Sequence, residues 1–128
     1  MRSRSFSPSR LKLEGYIYSS LRSERNGTIN IVTVTLDMQA RAGATEDDCD
    51  DIASLAGRVR GNKVSVTIRE LSEGHCKISL RTGGELDASA VCAHFGGGGH
   101  LMAAGCEIDC PPDEAAEQIL HAIDKEWK

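Results

Sequence analysis

The segment Phe95-Gly96-Gly97-Gly98-Gly99-His100-Leu101-Met102-Ala103-Ala104-Gly105-Cys106 holds the residues with the clearest chemical purpose. Four successive glycines have no side chain to pack. A fold that keeps them therefore uses their backbone, either for torsions closed to other residues or for close approach to another molecule. Consecutive backbone N–H groups can form a concave nest for an anion, and the His100 imidazole can donate a further hydrogen bond to a phosphate oxygen. The short apolar run after His100 predicts a short helix through Ala104, whose positive end would add to the same site. A glycine turn without a ligand is the other reading of such a string. Upstream, Arg81 closes a predicted strand just before Gly83-Gly84, and its guanidinium can grip a phosphate in bidentate fashion. A strand end facing a helix N-terminus is where open α/β sheets bind ligands. Taken alone Arg81 reads as a surface cation; together with Gly96, Gly97, Gly98, Gly99 and His100 it makes a candidate phosphate clamp.

The other reactive residue types point to structure. The cysteines Cys49, Cys76, Cys92, Cys106 and Cys110 are odd in number and irregularly spaced, which fits reduced thiols used as small hydrophobes. Cys106 and Cys110 sit near His100 without a CxxC pair or a third ligand, so no metal site is assigned. Glu46, Asp47, Asp48, Asp50 and Asp51 read as the acidic first turn of a helix capped by Thr45. His75 reads as a surface residue. His94, on the helix leading into the glycines, reads as exposed or lining the cleft.

Composition narrows the partners. The 128 residues carry a net charge of −4, which argues against a long footprint on duplex DNA. The aromatic residues are Phe6, Phe95, Tyr16, Tyr18 and Trp127 alone, too few for a base-stacking platform. A small nucleotide or short oligonucleotide held at one local site is the fitting partner. No stretch approaches the roughly 18 to 20 apolar residues that span a bilayer, and no signal peptide is recognisable, so no membrane partner and a cytoplasmic location are expected.

The elements that must position these residues follow from periodicity. Pro8 to Ser20 allows a short helix, with a strand over Tyr16-Ile17-Tyr18 as the rival. Asn26-Gly27 is a hairpin signal leading into a strand from Ile29 to Leu36. A helix from Thr45 carries Ile52, Leu55, Ala56 and Val59 on one face. Lys63–Glu70 and His75–Arg81 alternate as strands around a Gly74 turn. Asp87 caps a helix through Phe95, Cys106–Asp109 is a short last strand, and Pro111-Pro112 opens a final helix with Ala115, Ala116, Ile119, Leu120 and Ile123 on one face. The sum is a single α/β domain, residues 10–128, with a mixed sheet of about five strands flanked by helices. Residues 1–9 read as a polar tail or truncated linker.

Lys77-Ile78-Ser79-Leu80-Arg81-Thr82, Leu86-Asp87-Ala88-Ser89 and the stretch from Phe95 to Gly105 resemble the C-terminal DHH-associated (type 1) domain of the DHH phosphoesterases. The likeness runs from about Leu11 to Ile123. It is nearest to the branch of nano-RNases and 3′-phosphoadenosine 5′-phosphate phosphatases, often called exopolyphosphatase-related; the cyclic-dinucleotide phosphodiesterases stand close by. Thr82 replaces the serine common after the arginine and keeps a hydroxyl. The resemblance implies that Arg81, Gly96 to Gly99 and His100 grip substrate phosphate. It places two manganese ions and all catalytic residues in an N-terminal Asp-His-His domain, which would be this domain's partner within the parent protein. This sequence has no Asp-His-His string, so no catalytic residue and no metal ligand is assigned to it. It is expected to be inactive alone, as the substrate-binding part of a manganese-dependent hydrolase of short oligonucleotides or small phosphorylated nucleotides. The alternative is a stand-alone nucleotide or short-RNA binding module, and a homodimer is left open.

Overall fold

Alternation in two neighbouring strands sets the architecture. In β3 (Val64–Ser72) apolar and polar residues alternate from Val64 to Arg69, and in β4 (His75–Thr82) from His75 to Arg81. The pair is antiparallel, with Ile68 opposite Ile78 and Ser65 opposite Arg81. β2 (Ile29–Val34) runs parallel to β3, and the short β1 (Arg22–Glu24) pairs antiparallel with β2. Beyond β4 lie β6 (Ala103–Ile108) and the two-residue β5 (Gly98–Gly99), giving one six-stranded mixed sheet in the order β1-β2-β3-β4-β6-β5. Against the expected sheet of about five strands, the two whose positions the sequence did not mark are a polar triplet and a pair of glycines, neither of which carries an alternating apolar pattern. The computed structural model describes residues 6–127.

Two apolar cores hold the sheet, and they cover it unequally. On one face Ile29, Ile31, Val64, Val66, Ile68, Ile78 and Leu80 pack against α3 (Ala88–Ala93) and α4 (Pro112–Glu126), which contribute Val91, Ala115, Ile119 and Ile123. On the other face Val32 and Val34 of β2 meet Leu13 and Ile17 of α1 (Pro8–Ser19), Ala42 of α2 (Leu36–Ala42), and Ile52, Leu55 and Ala56. Past β3 this second layer reaches β4 only through Ile52–Ser54. Across β4 and β6 the same face presents His75, Lys77, Ser79, Arg81, Ala103, Gly105 and Glu107, with no large apolar side chain to attract a helix.

Several expectations are corrected by local chemistry. The region after Thr45 is not one helix but three 3-10 turns, Asp47–Cys49, Ile52–Ser54 and Ala56–Arg58. Thr45 does not cap it: the Asp48 carboxylate turns back to accept the Thr45 N–H at 2.9 Å, and Asp51 at φ 59° breaks any continuous helix. Ile52, Leu55 and Ala56 are still buried, because spacings of three and four put them on one side of either helix type. The strand expected to run to Leu36 ends at Val34, since the Thr35 hydroxyl accepts the Met38 N–H at 3.0 Å and starts α2. Tyr16-Ile17-Tyr18 is helical, not extended. α1 is started by Ser7, whose hydroxyl accepts the Arg10 N–H at 3.0 Å, and by Pro8 in its first turn. It thus begins within the stretch 1–9; residues 1–5 of that stretch lie outside the described residues.

Arg10 joins α1 to the 3-10 segment. It is buried, its Nε lies 2.8 Å from Glu14, and its Nη1 donates to the Asp48 carbonyl at 3.0 Å and to the Asp50 carbonyl. An Arg10→Ala variant should lose about 3 kcal/mol of stability in a urea unfolding series, because it strands both Glu14 and two carbonyls.

Candidate functional site

The uncovered half of the sheet carries its residues in transverse rows, because residues opposite one another in a ladder share a face. One row runs Asn30–Ser65–Arg81–Ala103 and the next Val32–Thr67–Ser79–Gly105–Gly98. The first row is extended by His100: its N–H donates to the Ala103 carbonyl at 2.7 Å, and the Ala103 N–H returns to the His100 carbonyl at 3.3 Å. Arg81 and His100 therefore stand two strands apart, about 10 Å between backbones at the usual strand spacing. Only the small Ala103 lies between them, and Arg81, Ala103 and His100 are all exposed.

This corrects the expected helix after His100. Residues 100–103 close a hairpin, with Leu101 and Met102 at its tip, and β6 begins at Ala103. The tip is tied down, since the Thr82 N–H donates to the Met102 carbonyl at 2.9 Å and the Ala88 N–H to the Leu101 carbonyl at 2.8 Å. No helix end faces Arg81; what faces it is a rigid turn.

The four glycines divide into different roles. Gly96 takes φ 77° in the turn after α3. At Gly97 an added Cβ would sit 2.2 Å from the Gly105 carbonyl oxygen, and at Gly99 2.6 Å from that of Ala103, so both are required by the closeness of β5 to β6. The amides of Gly96 and Gly97 donate to Ala93 and Cys92 carbonyls, and that of His100 to Ala103, so these three are not turned outward as a nest would have them. Gly98 is different: its φ is not in the left-handed region and an added Cβ would meet nothing within 4 Å. It lies in the row of Ser79 and Gly105, and its missing side chain leaves the edge of the open face bare.

Residues 26–128 match the DHHA1 domain family. The chain belongs to that family. Over 120 residues it is 36% identical to the bifunctional oligoribonuclease and PAP phosphatase NrnA of Thermus thermophilus, covering 93% of this chain and 35% of that protein. A probable NrnA of Streptococcus mutans is 26% identical over 94 residues, 73% of this chain and 30% of the relative. The domain thus spans about a third of the length of these curated relatives. Among solved structures, an exopolyphosphatase-related protein of Bacteroides fragilis superposes with a TM-score of 0.83 at 29% identity, over 94% of this chain and 36% of that one. A pGpG-specific phosphodiesterase, PggH, shares the fold at TM-score 0.60 and 13% identity, over 89% of this chain and 38% of that one.

Within this DHHA1 domain the remaining candidates have structural positions. The Thr82 hydroxyl donates to the Leu86 carbonyl at 2.7 Å and accepts the Gly84 N–H at 3.1 Å, fixing the loop after Arg81. Cys106 and Cys110 are buried in the α3–α4 core, and among the described residues no group of three or more His, Cys, Asp or Glu could hold a metal ion. Burial pushes the Cys76 thiol up to about 11, so it stays protonated. An apolar cleft of about 360 Å³, lined by His94, Phe95 and His121, lies between α3 and α4 on the covered face and does not join the Arg81 row. His94 there bonds Glu126 at 2.8 Å. Trp127 packs on the core, with the Arg25 guanidinium 5.1 Å from its ring.

Sequence reasoning missed the companions of Arg81. Lys77 and Ser79 occupy the same face by simple alternation, so the period-2 signal that placed the strand also holds them. Arg69 and Thr67 of β3 could be added only once the register was known. At the far end of this face His75 bridges two carboxylates, with Nδ1 2.5 Å from Asp109 and Nε2 in contact with Glu107. Glu107 and then Asp109 hold its imidazole above the ordinary histidine range.

Gly97→Ala should cost about 1–3 kcal/mol by forcing β5 from β6, while Gly98→Ala should leave the thermal midpoint nearly unchanged; paired melting curves check both. For His75, the folded pKa is raised. Its ion pairs are fully present below the unfolded value near 6.5 and are lost as pH climbs through the higher folded value. The His75 resonances should titrate above that value, and Glu107→Gln should move the midpoint down.

Proposed function

We propose that this domain is the phosphate-gripping part of a DHH phosphoesterase that hydrolyses short oligonucleotides or small phosphorylated nucleotides. The observation that carries the reading is the row Arg81–Ala103–His100 on the half of the sheet that no helix covers. A guanidinium and an imidazole flank a small residue, so a phosphate group resting over Ala103 accepts hydrogen bonds from both sides. Ser79, Gly105 and Gly98 form a low floor beside it, over which a sugar-phosphate backbone can lie close to the protein. The names of the Thermus and Streptococcus relatives, an oligoribonuclease and PAP phosphatase, support the substrate class.

The domain's own contribution is binding and orientation. Positioning a phosphodiester between fixed donors lowers the entropic part of a barrier whose bond-breaking groups belong elsewhere. Among the described residues no group of three or more His, Cys, Asp or Glu fits a metal ion, and we assign the two manganese ions of the proposed enzyme to its other domain. That separation also makes the open sheet face the side from which a catalytic domain would approach.

Calorimetric titration of 3′-phosphoadenosine 5′-phosphate and adenosine monophosphate into the domain tests the reading. Arg81→Ala should lower affinity on the order of tenfold to a hundredfold and His100→Ala about tenfold. Arg81→Lys should recover only part, because an ammonium cannot make the bidentate contact. Equal affinity of wild type and Arg81→Ala would reject the clamp.

A further inference from the structure

On the same open face, continuous with the clamp through Arg81 and Ser79, which line both, lies a cleft of about 220 Å³. Its floor is Thr67 and Arg69 of β3 with Lys77 and Ser79 of β4, and its far wall is the 3-10 segment 49–53. Two side-chain atoms of these lining residues are buried without a hydrogen-bond partner: the Thr67 hydroxyl, on a residue only 4% exposed, and the Arg69 Nε. The other end of the Arg69 guanidinium is held, with Nη2 donating to Glu46 at 2.8 Å, so the side chain is fixed while its Nε–H stays unspent. A native fold seldom leaves buried donors unpaired, and two in one cleft mark a place where an acceptor from outside belongs.

We propose that this cleft is a second phosphate subsite, which takes the next phosphodiester of a short oligonucleotide whose first phosphate sits at Arg81. This inference rests on the function proposed above and extends it from one phosphate to two. Thr67 lies two residues along the strand from the Arg81 row, about 7 Å away and one strand over, a step comparable to one nucleotide repeat. A bridging phosphate there accepts from Thr67 Oγ1 and Arg69 Nε, with Lys77 supplying further charge. Asp50 and Asp51 on the exposed wall weaken attraction for free phosphate but accept hydrogen bonds from ribose hydroxyls, so the cleft suits a nucleotide unit better than the bare ion.

The test compares inorganic phosphate, adenosine monophosphate and 5′-phosphorylated diadenylate by calorimetry and by NMR of the arginine Nε–H groups. Diadenylate should shift Thr67 and the Arg69 Nε–H together with Arg81, Gly98 and His100; the mononucleotide should shift only the latter three. Arg69→Gln and Thr67→Val should each weaken diadenylate about tenfold and leave the mononucleotide within about twofold. Thr67→Val should also raise the melting temperature, since it removes an unpaired buried hydroxyl, and this separates loss of a ligand contact from loss of fold. If diadenylate shifts Arg81 while Thr67 and Arg69 stay silent and both variants bind normally, the subsite is wrong and its two donors are simply hydrated. If no nucleotide shifts Arg81 or His100, the clamp itself is wrong.

Discussion

β4 is a strand with two incompatible duties, and the domain is arranged around keeping them apart. Its inward residues Cys76, Ile78 and Leu80 are fully buried under α3 and α4, while Lys77, Ser79 and Arg81 stand on the opposite face. A strand buried on both faces could not carry three such residues in succession without leaving charge unpaired in a low-dielectric interior. Past β3 the second layer accordingly reaches β4 only through Ile52–Ser54. What looks like an incomplete sandwich is the direct result of alternation in one central strand.

The polar face is supplied with order from its flanks. A hydrogen-bonded chain of Ser23, Asn30, Asn62 and Ser65 runs under the β2–β3 edge to the row that holds Arg81; Asn30 Nδ2 donates to Asn62 at 2.9 Å, and Asn62 Nδ2 to Ser65 at 2.9 Å. On the other flank the β5–β6 hairpin depends on residues without side chains. The closeness of these two strands is what puts His100 beside Ala103, and any Cβ at Gly97 or Gly99 would push them apart.

Much of this was legible in the residues. The strands β2, β3 and β4, the caps at Asp87 and Pro111-Pro112, and the α/β class follow from periodicity and end chemistry, and the motif around the glycines pointed to the DHHA1 family. The failures have common causes. A run of acids after Thr45 reads as a helix start, yet Asp48 spends its carboxylate on the turn and Asp51 adopts a left-handed torsion, and neither preference shows in an apolar pattern. The apolar string Leu101-Met102-Ala103-Ala104 has helical propensity, but long-range pairing with β4 overrides it. The candidate site was half legible: Arg81 and His100 were named as candidates from the motif, whereas their shared row depends on the strand order, which brings residues 19 positions apart together across β6.

The anchored tip at Leu101 and Met102 carries a consequence for energetics. Its two carbonyls are bound by the end of β4 and the start of α3, the first by Ala88 and the second by Thr82, next to Arg81. The backbone that bears the imidazole is thereby tethered to the backbone that bears the guanidinium, so the two move as one body. A ligand of the proposed clamp would find little main-chain freedom left to quench, and more of the interaction would survive as affinity. In the proposed enzyme, opening and closing around that ligand would then be carried by displacement of the domain as a unit, since a clamp tethered in this way has no slack to contribute.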